Sequence, residues 1–200
     1  MKFTIMILCA CALSAGCKNG YTEIREGRTA DVYLCGTWQP EQIEQVDDAI
    51  ADINSKITLK TGAKPLRLAG EIPDAAAYDE SAIGDGRHCI YLVYENYPTT
   101  YGRDLWDEYK VKQHKGGLFD ENDDIVLFSS SPDGSCHIPG TPEGWPCTWQ
   151  MQDIVAHEFG HAFGRDHAPE GSGENGVSRP ESMTWTDKDV ADACAIRECL

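Results

Sequence analysis

Between Pro40 and Gly62, apolar residues recur at intervals of three and four, which is the spacing of one buried face on an α-helix. The residues on that face are Ile43, Val46, Ile50, Ile53 and Ile57. Pro40 stands where a helix begins, and Gly62 ends the run. The pattern predicts a long amphipathic helix with one face against a core.

Four shorter runs of β-branched, aromatic and other apolar residues predict strands. They are residues 32–35, 64–72, 88–95 and 124–130. Residues 149–164 predict a second amphipathic helix, with apolar positions at Met151, Ile154, Val155, Phe159 and Ala162. Thr186 and Asp189 can cap a final helix over 187–198. This order of elements predicts an α+β fold and leaves its topology open.

Length and charge narrow the class of protein. The chain has 200 residues, enough for one domain with a substantial core. It carries 33 acidic against 17 basic residues, for a net charge of −16. Because nucleic acid and anionic membrane surfaces repel such a chain, we exclude both as partners. The charge says little about a substrate, since most acidic residues are solvated.

The first residues of the chain are typical of an export signal. Lys2 precedes an apolar run, from Phe3 to Leu13, that is too short to span a bilayer. The run ends in Leu-Ser-Ala-Gly-Cys, which resembles a bacterial lipobox with Cys17 as the lipidated residue. An ordinary secretory signal cleaved nearby is the alternative, and both imply export. The expected division is a signal peptide (1–16), a polar lipid-anchored tether (17–30) and one folded domain (31–200).

The nine cysteines fit an exported protein. Cys9 and Cys11 lie in the signal peptide, and Cys17 would carry the lipid. The six others form an even set, which predicts three disulfides. Short loops favour two pairs and elimination gives the third: Cys136–Cys147, Cys194–Cys199 and Cys35–Cys89. A cysteine zinc site is disfavoured, because the sequence contains no CxxC pair.

Residues 157–167 read HEFGHAFGRDH and carry the candidate chemistry. His157 and His161 are four apart, so on a helix their imidazoles lie one turn apart on the same face. Glu158 lies beside the first histidine, where a carboxylate can reach a metal-bound water. Gly164 can end the helix with a positive φ, so that the chain turns back and His167 supplies a third nitrogen. Three neutral histidines with an open fourth position are typical of a catalytic zinc site.

The pattern HExxHxxGxxH resembles the metzincin clan of zinc peptidases, and residues 149–185 are most similar to its matrixin branch. The resemblance implies a methionine turn beneath the metal, for which Met183 is the candidate. It also implies a twisted mixed sheet with a long helix, a metal-binding helix and a C-terminal helix, and an edge strand within Tyr109–Phe119. Two positions depart from the clan. Ala168 replaces the serine of matrixins, and Trp185 replaces the tyrosine of astacins and serralysins.

The function that this resemblance implies is a zinc-dependent endopeptidase with one catalytic Zn²⁺ held by His157, His161 and His167. Glu158 would act as general base towards a metal-activated water and then as general acid towards the leaving amine. The edge strand would bind an extended protein or peptide substrate by strand addition. For Trp185, core packing and the lining of a specificity pocket both stay open.

Two alternatives for the function remain open. One is a peptide-binding or inactive protein on a metzincin scaffold, and the other is a zinc amidase that acts on cell-wall peptides. We expect a monomer, anchored by its lipid at the membrane or cell surface, or otherwise periplasmic or secreted. We find no room for a propeptide of matrixin size, so we expect activity on export or restraint by a proteinaceous inhibitor.

Further metal sites have weaker support in the sequence. His114 and His137 lack the ligand spacing of a second zinc site, and His88 opens a strand as a core or edge histidine. Oxygen ligands for Ca²⁺ occur close together at Asp120, Asn122, Asp123 and Asp124. A solvated acidic turn is the favoured interpretation of this segment, because the glutamate spacing of a calcium loop is missing.

Overall fold

The structure is a computed structural model that describes residues 20–73, 77–78, 87–112, 116–119, 123–129, 151–164 and 185–196. The described helices are α1 (Thr22–Arg25), α2 (Pro40–Lys56), α3 (Thr100–Leu105), α4 (Met151–Ala162) and α5 (Asp187–Ile196). The described strands are β1 (Ala30–Cys35), β2 (Leu66–Ile72), β3 (His88–Val93), β4 (Gly117–Phe119) and β5 (Ile125–Phe128). A π-helical segment, Trp106–Lys112, continues α3 directly.

The five strands form one sheet in the order β2-β1-β3-β5-β4. Neighbouring strands are parallel except for β4, which runs antiparallel to β5 at one edge. Helix α2 connects the parallel neighbours β1 and β2, since a parallel pair needs a crossover long enough to return to the same end of the sheet. The predicted α+β fold with a mixed sheet is therefore confirmed.

The main core lies between the sheet and two helices, α2 and α4, that pack together on one of its faces. Val46 and Ile53 of α2 and Val155 and Phe159 of α4 are fully buried there. Strand β1 contributes every second residue, as a pleated strand must: Ala30, Val32 and Leu34. This core fixes α4, which carries both described histidines of the motif, against strands β4 and β5.

A second cluster, rich in tyrosine, covers the opposite face of the sheet. Its buried aromatic residues are Tyr78, Tyr91, Tyr97, Trp106 and Phe128. The indole Nε1 of Trp106 donates a hydrogen bond of 2.6 Å to the carbonyl oxygen of Ser129 and ties the π-helical segment to the end of β5. Cys35 and Cys89 belong to this cluster, so the central strands are buried on both faces.

Helix α2 agrees with its sequence pattern at the N-terminus and ends earlier than Gly62. Gln39 and Gln42 form a capping box before and within the first turn, with a 2.8 Å hydrogen bond from the Gln39 N–H to Oε1 of Gln42. The helix ends at Lys56, and Ile57 is already extended (φ −114°, ψ 131°). The side chain of Ile57 is nevertheless fully buried, so its apolar character serves the core and not the helix.

Among the described residues of the window Tyr109–Phe119, expected to hold the edge strand, Gly117–Phe119 form a strand and residues 109–112 are helical. Upstream, the chain is helical because a cap starts a helix at Thr100: Oγ1 of Thr99 accepts a 3.0 Å hydrogen bond from the N–H of Gly102. This cap has no capping-box partner in the sequence. The mixture of aromatic and charged residues in this segment therefore gives no pattern from which the helix or the bounds of the strand can be predicted.

Residues 20–30 are part of the folded domain, although they were expected to be a tether. They contain α1, and the side chains of Tyr21, Ile24 and Ala30 are fully buried. The backbone N–H of Tyr21 donates a 2.8 Å hydrogen bond to the carbonyl oxygen of Ala162, at the end of α4. The domain boundary expected at residue 31 therefore lies too late in the chain.

The predicted signal peptide, residues 1–16, and the predicted lipidation site Cys17 lie outside the described residues. Within the described ranges, no helix combines the length and the apolar character that crossing a membrane requires.

Candidate active site

Helix α4 buries polar residues as well as apolar ones. Asp153, His157 and Glu158 are 5%, 7% and 3% exposed. The helix ends as the sequence predicts, because Gly164 takes a positive φ of 80° and its N–H donates a 2.7 Å hydrogen bond to the carbonyl oxygen of His161. The motif residues are thus held on a rigid element whose other side packs in the main core.

The imidazoles of His157 and His161 lie on consecutive turns of α4, with ring centroids 5.1 Å apart and planes at 89°. A zinc–nitrogen distance of about 2.0–2.1 Å places a ring centroid about 3.2 Å from the ion, so two tetrahedral imidazoles have centroids about 5.2 Å apart. The observed separation matches that value. The donor set is also suitable, since neutral imidazole nitrogen is a preferred zinc ligand.

The third predicted ligand, His167, and the predicted floor residue, Met183, lie outside the described residues. Within the described ranges, no three metal-binding side chains of His, Cys, Asp or Glu converge on one point. The structure therefore describes two of the three predicted ligands, and the metal site itself stays a prediction.

Glu158 lies against the edge strand β4. A Cβ atom added to Gly117 would stand 2.7 Å from Oε1 and 3.0 Å from Cγ of Glu158, and 2.8 Å from Cγ2 of Ile154. The backbone of β4 can approach α4 this closely only because Gly117 has no side chain. The sequence shows the Gly116-Gly117 pair, but no local pattern relates it to Glu158.

Trp185 is 2% exposed and packs beneath α4. Its indole Nε1 donates a 3.1 Å hydrogen bond to the carbonyl oxygen of Ala156. Its ring meets the ring of Phe163 edge-on, with centroids 5.0 Å apart. A side chain so placed leaves almost none of its surface for a specificity pocket and fixes Trp185 to the back of α4.

The final helix follows its predicted cap. Thr186 and Asp189 bond reciprocally: the Thr186 N–H donates to Oδ2 of Asp189 at 2.8 Å, and the Asp189 N–H donates to Oγ1 of Thr186 at 3.2 Å. Helix α5 is described as far as Ile196. The capping prediction is confirmed, and it places Trp185 immediately before a fixed helix start.

His88 joins the N-terminal segment to the sheet. Its Nε2 lies 2.9 Å from Oε2 of Glu23, and its ring stacks on the ring of Tyr21 with centroids 3.9 Å apart. Partial burial acts to raise the pKa of Glu23, but the hydrogen bond and charge of His88 outweigh it and the pKa falls below its ordinary value. His88 is therefore a structural histidine, tied to the same segment that holds the end of α4.

The acidic segment before β5 is not simply solvated. Asp124 is 3% exposed, and its Oδ1 accepts a 2.8 Å hydrogen bond from the backbone N–H of Cys89. The preceding residue, Asp123, has a positive φ of 64°, which turns the chain into the strand. Asp124 therefore joins the start of β5 to β3 and is not a solvated turn residue, while calcium binding by this segment stays untested. Asp120 and Asn122 lie outside the described residues, as do His114 and His137.

The disulfide that elimination predicted between Cys35 and Cys89 is present. It joins the neighbouring parallel strands β1 and β3 with a Cα–Cα distance of 5.6 Å. Cys194 of α5 is also disulfide-bonded. Cys136, Cys147 and Cys199 lie outside the described residues, so the other two predicted pairs stay predictions.

The similarity of this chain to known proteins is weak. No protein-family model matches the chain, and no curated protein matches it. Among solved structures, the chain is similar to metalloproteinase-II from Bacteroides fragilis, with 14% sequence identity and a TM-score of 0.38. The match covers 90% of this chain and 56% of that protein, so this chain spans little more than half of its length. Because the TM-score is low, this similarity says nothing about the function of the chain.

Proposed function

We propose that this protein is a zinc-dependent endopeptidase of the metzincin type, in which His157, His161 and His167 hold one Zn²⁺. The observation that supports it most is the spacing HExxHxxGxxH, with the first two imidazoles 5.1 Å apart on a buried helix. In the proposed site Met183 lies beneath the metal, as in the matrixin-like branch that the sequence resembles.

The proposed mechanism assigns both proton transfers to Glu158. The three histidines would hold a Zn²⁺ that would supply a water ligand of lowered pKa and an electrophile for the scissile carbonyl group. The Glu158 carboxylate accepts a proton from the attacking water while the water oxygen bonds to the carbonyl carbon. When the carbon–nitrogen bond breaks, the same carboxyl group gives that proton to the leaving amine. Burial of Glu158 supports this role, because little bulk water competes for its proton.

The proposed substrate is an extended segment of protein or peptide that pairs with β4. Within the described part of the sheet, β4 is bonded to β5 on one side only, so its other edge can accept a further strand. Gly117 of this strand lies beside Glu158. A peptide bound along β4 would therefore pass close to the general base.

For the cellular setting we propose an exported monomer with a lipid anchor at Cys17, restrained by a proteinaceous inhibitor where restraint is needed. Only residues 18–20 separate Cys17 from the fully buried Tyr21. Four residue steps of about 3.5 Å span at most about 14 Å, so the lipid anchor would hold the domain close to the membrane surface. A freely swinging domain is not expected from so short a connection.

The test is cleavage of a peptide library by the purified full chain, with and without a zinc chelator, read by mass spectrometry. We expect about one zinc per chain, cleavage that the chelator abolishes, and recovery when zinc is returned. Glu158→Ala is expected to keep its zinc and to lose about 10²–10⁴-fold in kcat.

Each contrary outcome identifies a different error. Full activity of Glu158→Ala would overturn the assigned mechanism. A zinc-loaded wild type that binds library peptides and cleaves none would favour a peptide-binding protein on the same scaffold. Cleavage confined to cell-wall peptides would favour the amidase.

A further inference from the structure

The pair Gly116-Gly117 at the start of β4 presses against α4 at two different places. A Cβ added to Gly116 would stand 2.7 Å from Cδ1 of Ile154, and all of its nearest contacts belong to that side chain. A Cβ added to Gly117 would instead come closest to Oε1 of Glu158, at 2.7 Å. Both glycines therefore approach Ile154, which a Gly117 Cβ would meet at 2.8 Å, but only Gly117 also approaches the candidate general base.

Backbone conformation does not explain either glycine. Neither has a positive φ, so an L-residue could adopt the same backbone at both positions. A glycine inside a strand also weakens it, since it costs backbone entropy and adds no packing. Close approach of the strand to α4 is the remaining reason for both glycines, and at Gly117 the atom approached is a carboxylate oxygen.

From this geometry we propose that Gly117 is a positioning residue: its missing side chain defines the space that the Glu158 carboxylate occupies. The proposal rests on the proposed function, in which that carboxylate moves the proton. The strand backbone is tied to β5 by the pairing of Gly117 with Leu127 and by a 2.8 Å bond from the Phe128 N–H to the carbonyl oxygen of Gly116. A methyl group at Gly117 would press on both Ile154 and Glu158, and the carboxylate moves most readily because it ends a flexible side chain.

The expected consequence follows from the sensitivity of proton transfer to position. A misplacement of about 1 Å at a reacting group costs about 10²-fold in rate. Gly117→Ala is therefore expected to lower kcat by about 10²-fold with little change in KM, because strand addition uses the backbone of β4. Gly116→Ala is the matched control, since it adds the same methyl group one residue away and displaces only the end of Ile154. It is expected to keep kcat within about threefold of the wild type, a difference below about 1 kcal/mol.

A double-mutant cycle separates positioning from general damage. Glu158→Asp shortens the side chain by one methylene, so the added methyl group in Gly117→Ala no longer meets a carboxylate oxygen. If Gly117 acts through Glu158, Gly117→Ala costs less than about threefold in the Glu158→Asp background, against about 10²-fold in the wild type. Equal costs in both backgrounds would overturn the proposal.

A second readout does not depend on activity. Crystals of metal-free Gly117→Ala protein are expected to show the Glu158 carboxylate turned away from β4, with the β4 backbone in place and a melting temperature equal to that of Gly116→Ala. An unmoved carboxylate beside a displaced strand would overturn the positioning role. If the wild type cleaves nothing, the proposed function fails, while the crystal structure still decides whether Gly117 sets the position of Glu158.

Discussion

Helices α2 and α4 lie side by side on the same face of the sheet, but they bury different kinds of residue. The buried side of α2 has four apolar residues and one polar residue, Gln42, which belongs to the N-terminal cap. The buried side of α4 includes Asp153, His157 and Glu158 among its apolar residues. Helix α2 buries an almost wholly apolar side, as expected of an amphipathic helix. Helix α4 also buries ionisable side chains.

This difference agrees with the proposed function, in which α2 is scaffold and α4 carries the site. Burying an ionisable side chain costs free energy that an apolar residue at the same place would not. A helix that keeps three such side chains in the interior is less stable than its packing allows, and under the proposed function chemistry is the reason that His157 and Glu158 are retained. Substitutions in α4 should therefore lower metal binding and activity. Substitutions in α2 should instead lower the stability of the fold.

The largest expected effect is that of His157→Ala. Zinc binds only the folded site, so at a hundredfold excess of zinc over the Kd it stabilises the wild type by about 2.7 kcal/mol. Without His157 the ion loses one of its three proposed ligands, and both this stabilisation and peptide cleavage are expected to disappear. Thermal unfolding with and without zinc, together with zinc content measured by mass spectrometry, would check it.

The matched control is Gln42→Ala, which removes the buried polar residue of α2. Its cap is expected to contribute about 1 kcal/mol to stability, so the melting temperature falls. The rise in melting temperature on adding zinc should equal that of the wild type. An undiminished response to zinc in His157→Ala would show that the ion binds elsewhere.

The next effect is the converse one, in Ile53→Ala of α2. Ile53 is fully buried in the main core, and truncation of such a side chain costs about 2–5 kcal/mol of unfolding free energy. We expect wild-type kcat at low temperature, where the variant is still folded, because Ile53 belongs to the scaffold. Urea unfolding and initial rates measured on one sample would check both parts, and a normal stability with a reduced kcat would contradict the assignment of roles.

Sequence reasoning succeeded where one local pattern decides the structure. The period of α2, the cap formed by Thr186 and Asp189, and the stop at Gly164 each depend on residues within a few positions of one another. The pairing of Cys35 with Cys89 was also predicted, because few alternatives remained for these two cysteines. In all of these cases, local chemistry or simple elimination restricts the choices.

It failed where contacts link distant parts of the chain. Tyr21 and Ile24 are fully buried, but in the sequence they stand among polar residues. Two apolar residues make no periodic pattern, so the sequence predicts a tether for this segment. Asp124 lies in a segment whose composition is typical of a solvated turn. Its structural role depends on the hydrogen bond that it accepts from the backbone N–H of Cys89. The approach of Gly117 to Glu158 depends on how β4 and α4 pack, which neither segment encodes alone.

A smaller effect, common to both helices, is expected when Cys35 and Cys89 are replaced together by alanine. The disulfide joins β1 to β3 on the face of the sheet opposite α2 and α4, so its loss should weaken the support of both helices alike. We expect a loss of about 2–4 kcal/mol in unfolding free energy, with unchanged kcat in the folded enzyme. Denaturant unfolding and activity assays would check it. A selective loss of zinc response would show instead that this face controls α4.

The smallest effect concerns Glu23, which helps to hold the segment bonded to the end of α4. Because its pKa is lowered on folding, the ionised carboxylate stabilises the fold above its unfolded pKa, ordinarily 4.5, and this stabilisation is lost as the pH falls through the folded value. Glu23→Gln should therefore unfold more easily at pH 7, by less than about 1 kcal/mol, since the side chain is 29% exposed. The difference from wild type should vanish at pH values below the folded pKa.

The exposed Glu26 of the same segment is the matched control. Glu26→Gln should change neither the unfolding free energy at pH 7 nor its dependence on pH. Urea unfolding at successively lower pH would check it, and a difference that does not shrink as the pH falls would mean that packing, and not the charge beside His88, stabilises this end of α4.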